Sequence, residues 1–123
     1  MKTLLLIAHG SPRPEANADI RQVADEVRRR VAGFPVRIGY LDCNAPDIAA
    51  AVDECVADGA TEVVVVVPYF LHSGRHLVRD IPEILGQSAQ KYPAITITMT
   101  DYVGHQRAIA DILLDRASAV ASP

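Results

Sequence analysis

A chain of 123 residues has the length of one domain and can bury a core without disulfide or metal staples. Half of its residues are hydrophobic and 22% are charged, with four Tyr, two Phe and no Trp, so Val, Ile, Leu and Ala must fill the core of an ordinary globular protein. A formal net charge of −3 without a Lys/Arg stripe argues against nucleic acid as partner, and no apolar run reaches the length of a membrane span.

Residues 3–8 form a continuous apolar run, the pattern of a strand covered on both faces. The run is too short for a secretion signal, and His9-Gly10-Ser11-Pro12-Arg13 stands where a small-residue cleavage site would be. The cysteines, Cys43 and Cys55, form no C-x-x-C pair and read as reduced thiols, so the expected compartment is the cytoplasm. The breakers of residues 10–14 predict a loop. Ile20, Val23, Ala24, Val27 and Val31 then recur at helical spacing, and Gly33 and Pro35 stop that helix. Its run Arg28-Arg29-Arg30 reads as a solvated face.

Residues 36–41 are the second strand. Ile48, Val52, Cys55 and Val56 mark a second helix, capped near Asn44 or Ala45, with Pro46 near its first turn and Asp58-Gly59 at its end. Residues 62–67 hold five consecutive valines, the composition of a central, doubly buried strand. Two readings fit residues 71–80: a turn before a helix over 82–89 with Pro82 at its start, or one kinked helix beginning near Ser73. Residues 95–99 are the fourth strand, and Ile109, Ile112 and Leu113 define a last helix. Strands alternating with helices over short links predict an α/β fold: a four-stranded parallel sheet with helices on both faces, flavodoxin-like, in the order 2-1-3-4, as a single domain over residues 1–123.

In such a sheet the carboxyl ends of the strands share one edge, and ligands bind there. All four histidines fall at that edge. His9 follows the first strand, His72 and His76 the third, and His105 the fourth, while Asp42 closes the second. A neutral imidazole accepts a proton or binds a metal near neutral pH. Gly10 lets the backbone turn sharply and a ligand approach. Asp42 can hold an imidazolium, complete a metal site or receive a proton, or it can be a carboxylate favoured near a helix start. Gly74 argues against a helix that would pair His72 with His76; His76 is the favoured functional residue and His72 its outer support. His105 caps the last helix or flanks the cleft, and Cys43 reads as a buried, inert thiol. Arg13, Arg75 and Arg79 lie near the same edge and suit an acidic ligand. The chain holds no G-x-x-x-x-G-K-[ST], no G-x-G-x-x-G and no G-x-S-x-G, so no nucleotide or nucleophile-elbow chemistry is expected. Ala8, not Arg, precedes His9-Gly10, which sets the chain apart from histidine phosphatases.

Ala8-His9-Gly10-Ser11, followed by Pro68-Tyr69-Phe70-Leu71, Gly74-Arg75-His76 and Asp80-Ile81-Pro82, resembles the sirohydrochlorin chelatases, the small class II chelatases of cobalamin and sirohaem synthesis. The resemblance implies a chelatase-type half domain that pairs as a homodimer, longer relatives carrying both halves in one chain. It implies insertion of a divalent ion, Co²⁺ foremost and Fe²⁺ or Ni²⁺ as alternatives, into sirohydrochlorin without a nucleotide. His9 and His76 match the family's active-site histidines and would hold the metal. Asp42 stands where the family usually has Glu, and Arg13 is displaced by one position because Pro12 intervenes. Ser11, Arg13, Ser73, Gly74, Arg75 and Arg79 would contact the carboxylate-rich substrate. Two histidines and one carboxylate make a weak, open ligand set, which suits an ion that must leave with the product. The alternative from another class is a non-catalytic tetrapyrrole or metal-ion carrier on the same scaffold.

Overall fold

The computed structural model describes residues 2–31, 33, 35–59, 62–104 and 106–121, with the side chains of Val63, His76 and Val78 outside that description. In chain order the elements are β1 (Lys2–Ala8), α1 (Pro14–Arg30), β2 (Val36–Tyr40), α2 (Ile48–Ala57), β3 (Val63–Pro68), a π-helical turn (His76–Asp80), α3 (Ile81–Lys91), β4 (Thr96–Met99) and α4 (Arg107–Ser118). The four strands are parallel in the order β2-β1-β3-β4, as the alternation of elements predicts.

The period-2 geometry of the strands sorts their side chains onto two faces. Leu5 and Ile7 of β1 and Val64 and Val66 of β3 point to one side, against Ile48, Ala51, Val52 and Cys55 of α2 and Ile81 and Leu85 of α3. Leu6 and Ala8 of β1 and Val36 and Tyr40 of β2 point to the other, against Ile20 and Ala24 of α1. The valine run is therefore a central strand between β1 and β4, but it is fully buried on one face only: Val64 and Val66 are buried, whereas Val65 and Val67 on the other face are half-buried. Burial pushes the Cys55 thiol up, which suits an inert core residue.

Several local expectations shift. The cap of α2 is Asp47, whose carboxylate accepts from the Ala50 N–H at 2.8 Å, rather than Asn44 or Ala45. Asp is a strong capping residue, and residues 41–46 are instead held as a loop at the sheet edge. Residues 71–80 are neither a simple turn nor a helix from Ser73. A single wide π-type turn starts at His76 and runs directly into α3, with Pro82 in its first turn. Arg28 is not merely solvated, since its guanidinium donates to the Val36 carbonyl and ties α1 to β2.

Arg37 fastens β2 to the end of α2. Its guanidinium donates to both Asp58 carboxylate oxygens, at 2.7 and 2.8 Å, and to Glu54 at 3.2 Å. These bonds hold the Asp58 carboxyl below the usual carboxylate range. A carboxyl with a lowered folded-state pKa stabilises the fold fully above its unfolded value of about 3.9, and that stabilisation is lost as pH falls through the lower folded value. Thermal melts from about pH 6 to pH 2.5 should therefore show an acid limb that is shallower in Arg37→Ala than in the parent. Identical acid limbs would mean that the pair contributes nothing, a common outcome for exposed ion pairs.

Candidate functional site

The site begins where β1 hands over to its loop. The β1–β2 pairing continues past both strand ends: Leu41 N–H donates to the Ala8 carbonyl at 2.9 Å, and Asp42 N–H donates to the His9 carbonyl at 3.0 Å. His9 and Asp42, far apart in sequence, are thus laid side by side by backbone alone. Gly10 makes the approach possible. It has φ +91°, and a Cβ there would overlap the Asp42 carbonyl oxygen. Two asparagines then pin the Ser11 loop. Asn44 Oδ1 accepts from the Ser11 N–H at 2.7 Å, and Asn17 Nδ2, from buried Asn17, donates to the Ser11 carbonyl at 3.0 Å. Cys43 departs from expectation. Its backbone has φ +67°, and it is exposed rather than buried.

The His9 ring is exposed at the mouth of this arrangement. Its Nδ1 lies 3.4 Å from the Gly10 carbonyl. A carbonyl only accepts, so in this long bond the hydrogen sits on Nδ1, and the lone pair of that tautomer is on Nε2. Phe70 meets the imidazole edge-on, ring centroids 6.4 Å apart at 90°. Phe70 is placed by the Tyr69 N–H, which donates to Ile7 at 2.8 Å, and by the Gly104 N–H, which donates to Phe70 at 3.0 Å.

His9 stands between two hollows. One, of about 360 Å³, is lined by His9, Leu41, Asp42, Asp80 and Ile84. The other, of about 340 Å³, is lined by His9, Gly10, Ser11, Asn17, Asp19 and Tyr69 among others. Asp80 is the site residue that the sequence reading left without a role. The wide turn ends on it and brings half-buried Asp80 to the hollow that Asp42 also lines. The sequence signal was present in Asp80-Ile81-Pro82, but its placement depends on the π-type turn.

Of the other expected residues, His76 opens that turn, four positions before Asp80, with its side chain outside the described set; His105 lies outside it altogether. His72, Ser73, Gly74, Arg75 and Arg79 are exposed on the loop and turn after β3 and line neither hollow. Arg13 is exposed at the start of α1 and pairs with Glu15 at 3.4 Å. Among the described residues, no three His, Cys, Asp or Glu side chains are disposed to hold a metal ion. The described part of the site is thus open: an imidazole and two carboxylates around a shallow polar mouth, able to take protons and to hold a cation loosely. A larger hollow of about 590 Å³ lies at the other end of the strands, lined by Arg28, Val36, Arg37 and Asp58 among others. It offers no imidazole, and Arg37 and Asp58 bond each other, so it has no comparable chemistry.

A parallel α/β domain with imidazole and carboxylates at its carboxyl edge defines a class of open, edge-sited metal or proton-transfer proteins. Residues 3–120 match the CbiX family model, and the chain belongs to the CbiX family. A sirohydrochlorin cobaltochelatase of Sulfolobus acidocaldarius is 34% identical over 120 residues, covering 97% of this chain and 92% of that protein. The chloroplastic sirohydrochlorin ferrochelatase of Arabidopsis thaliana is 31% identical over 114 residues, 92% of this chain and 50% of that protein. The crystal structure of the sirohydrochlorin chelatase SirB from Bacillus subtilis subspecies spizizenii, in complex with cobalt, superposes with a TM-score of 0.87 at 28% identity. That match covers 98% of this chain and 51% of SirB, so the chain spans about half the length of that relative. No helix among the described residues is long and apolar enough to cross a membrane.

Proposed function

We propose that this CbiX-family chain is a sirohydrochlorin metal chelatase that inserts a divalent ion, Co²⁺ foremost and Fe²⁺ or Ni²⁺ as alternatives, without a nucleotide. One observation carries the reading: His9 is locked beside Asp42 on the carboxyl edge and shares an open hollow with Asp42 and Asp80. Insertion requires two pyrrole N–H protons to leave while the ion sheds its water. His9, through Nε2, and the Asp42 carboxylate are placed to accept protons, and His9 and His76 hold the entering ion. Asp80 supplies a further carboxylate at the same wall. A site of few, open ligands releases its ion to the macrocycle more readily than a closed four-ligand site. Ser11, Arg13, Ser73, Gly74, Arg75 and Arg79 bind the carboxylates of sirohydrochlorin from the rim; Arg does this with paired N–H donors. The domain works as a homodimer in the cytoplasm, where an exposed Cys43 stays reduced.

Comparing variants tests the assignment. His76→Ala should lower the initial insertion rate by about 100-fold, while His72→Ala, at an exposed loop position, should lower it by less than about 5-fold. A loss in His72→Ala equal to that in His76→Ala would reverse their roles. Parental insertion rates in folded His9→Ala and His76→Ala would refute the site assignment, whereas sirohydrochlorin bound by the parent protein without faster metallation would move the protein to the carrier class.

A further inference from the structure

Ser11 is held by bonds of fixed polarity. Its N–H donates to Asn44 Oδ1 at 2.7 Å, its carbonyl accepts from Asn17 Nδ2 at 3.0 Å, and its Oγ accepts from the Arg13 N–H at 3.1 Å. An asparagine amide can be turned either way, but here the partners decide. A backbone N–H only donates, so Asn44 presents its oxygen. A carbonyl only accepts, so Asn17 presents its nitrogen. What Ser11 retains is its hydroxyl hydrogen, which has no acceptor among the described residues. The fixed loop therefore offers a ligand one donor, on the wall of a hollow that His9 also lines.

Asn44 acts on Asp42 as well. Its N–H donates to the Asp42 carbonyl at 2.8 Å, closing a three-residue turn around Cys43, whose φ is +67°. A turn of this kind with a left-handed centre is rare, and it is costly for a residue that carries a side chain. Within it the Cys43 N–H donates to Asp42 Oδ1 at 2.8 Å, so backbone orients one oxygen of the carboxylate. One asparagine thus touches both segments that carry the proposed proton acceptors: the His9–Ser11 loop through its side chain, the Asp42 turn through its backbone. Buried Asn17 grips the same loop from α1, a helix anchored in the core by Ile20 and Ala24.

We infer that Asn44 and Asn17 are positioning residues for metal insertion, which hold His9 against Asp42 and aim the Ser11 hydroxyl at a substrate carboxylate. The inference rests on the chelatase reading of this site. The two act with opposite polarity, Asn44 as acceptor and Asn17 as donor, so the same substitution must have opposite results. In Asn44→Asp the carboxylate still accepts from the Ser11 N–H. In Asn17→Asp an ionised carboxylate faces the Ser11 carbonyl with nothing to donate.

Steady-state insertion kinetics with sirohydrochlorin and Co²⁺ test this, on variants whose melts show them folded at the assay temperature. Asn44→Ala should lower kcat by about 10- to 100-fold, the scale of a reacting group displaced by up to about 1 Å. Its KM should change by less than about 5-fold, the loss of one neutral donor among several substrate contacts. Asn44→Asp should return kcat to within about 3-fold of the parent, while Asn17→Asp should fall as Asn44→Ala does. Asn44 is only half-buried, so its variants decide the matter even where Asn17→Asp does not fold. Hydrogen exchange at the Ser11 amide reads the grip without any turnover: it should quicken by about 10-fold or more in Asn44→Ala and slow again in Asn44→Asp. Parental kcat in Asn44→Ala, or equal losses in Asn44→Ala and Asn44→Asp, would overturn the inference while a parent that inserts metal keeps the chelatase reading. A parent that inserts no metal would overturn both, whatever the amide exchange shows.

Discussion

His9→Ala is expected to lower the initial rate of metal insertion by about 10²–10⁴-fold, the range that a positioned proton acceptor contributes. The fold should survive. The His9 ring is exposed and outside both clusters of the core, and its contacts include the edge of Phe70 and the adjacent Gly10 carbonyl. Removing such a side chain should change stability by no more than about 0.5 kcal/mol. On the proposed roles, in which the rim residues rather than His9 bind the substrate carboxylates, the loss should appear in turnover more than in substrate affinity. Initial rates against sirohydrochlorin concentration, with a thermal melt of the same preparation, separate these terms. A parental rate in folded His9→Ala would remove His9 from the mechanism.

Gly10→Ala is expected to damage both stability and activity, although it adds a single methyl group. The residue sits at φ +91°, and its Cβ would overlap the carbonyl oxygen of Asp42. Left-handed strain plus the forced retreat of the loop should cost about 2–4 kcal/mol. The bonds that retreat breaks are the ones that build the site: Asp42 N–H to His9 and Ser11 N–H to Asn44. A displacement of about 1 Å at a reacting group costs on the order of 100-fold in rate, so activity should fall further than stability alone explains. Gly33→Ala is the control. Gly33 also has positive φ, +75°, but nothing lies within 4 Å of its Cβ position. It should show strain near 1 kcal/mol, about the low end for such a conformation, and unchanged insertion. Equal effects of the two substitutions on melting and rate would mean that the Gly10–Asp42 approach does not organise the site.

The layout of this fold was legible because its signals are periodic and local. The apolar run of residues 3–8 announced a core strand and the β-α alternation led to the observed strand order, while the valines of β3 announced burial on both faces and only Val64 and Val66 on one face are fully buried. His9 and Asp42 were legible for the same reason: a residue that ends a parallel strand must lie on the carboxyl edge. What escaped depends on backbone detail that side-chain patterns do not encode. Asp80 reaches the hollow through a π-type turn, whereas an ordinary α-helical reading would rotate it elsewhere. Asn17 and Asn44 act on the Ser11 backbone across the loop, a role that neither residue's neighbours advertise. Cys43 is exposed at a positive-φ position of the loop, against the usual burial of free cysteine. The apolar stripe of α4 was visible in Ile109, Ile112 and Leu113, but amphipathicity does not say whether a helix buries that stripe, and here none of its residues is buried.

The central claim is that this edge inserts a metal ion into a tetrapyrrole. The most direct measurement is an absorbance time course of the purified protein with sirohydrochlorin and Co²⁺, Fe²⁺ or Ni²⁺ added separately, each against the same mixture without protein. The account predicts faster appearance of the metallated spectrum with protein present, most strongly with Co²⁺. Bound sirohydrochlorin metallated no faster than in the protein-free control, with all three ions, would contradict it.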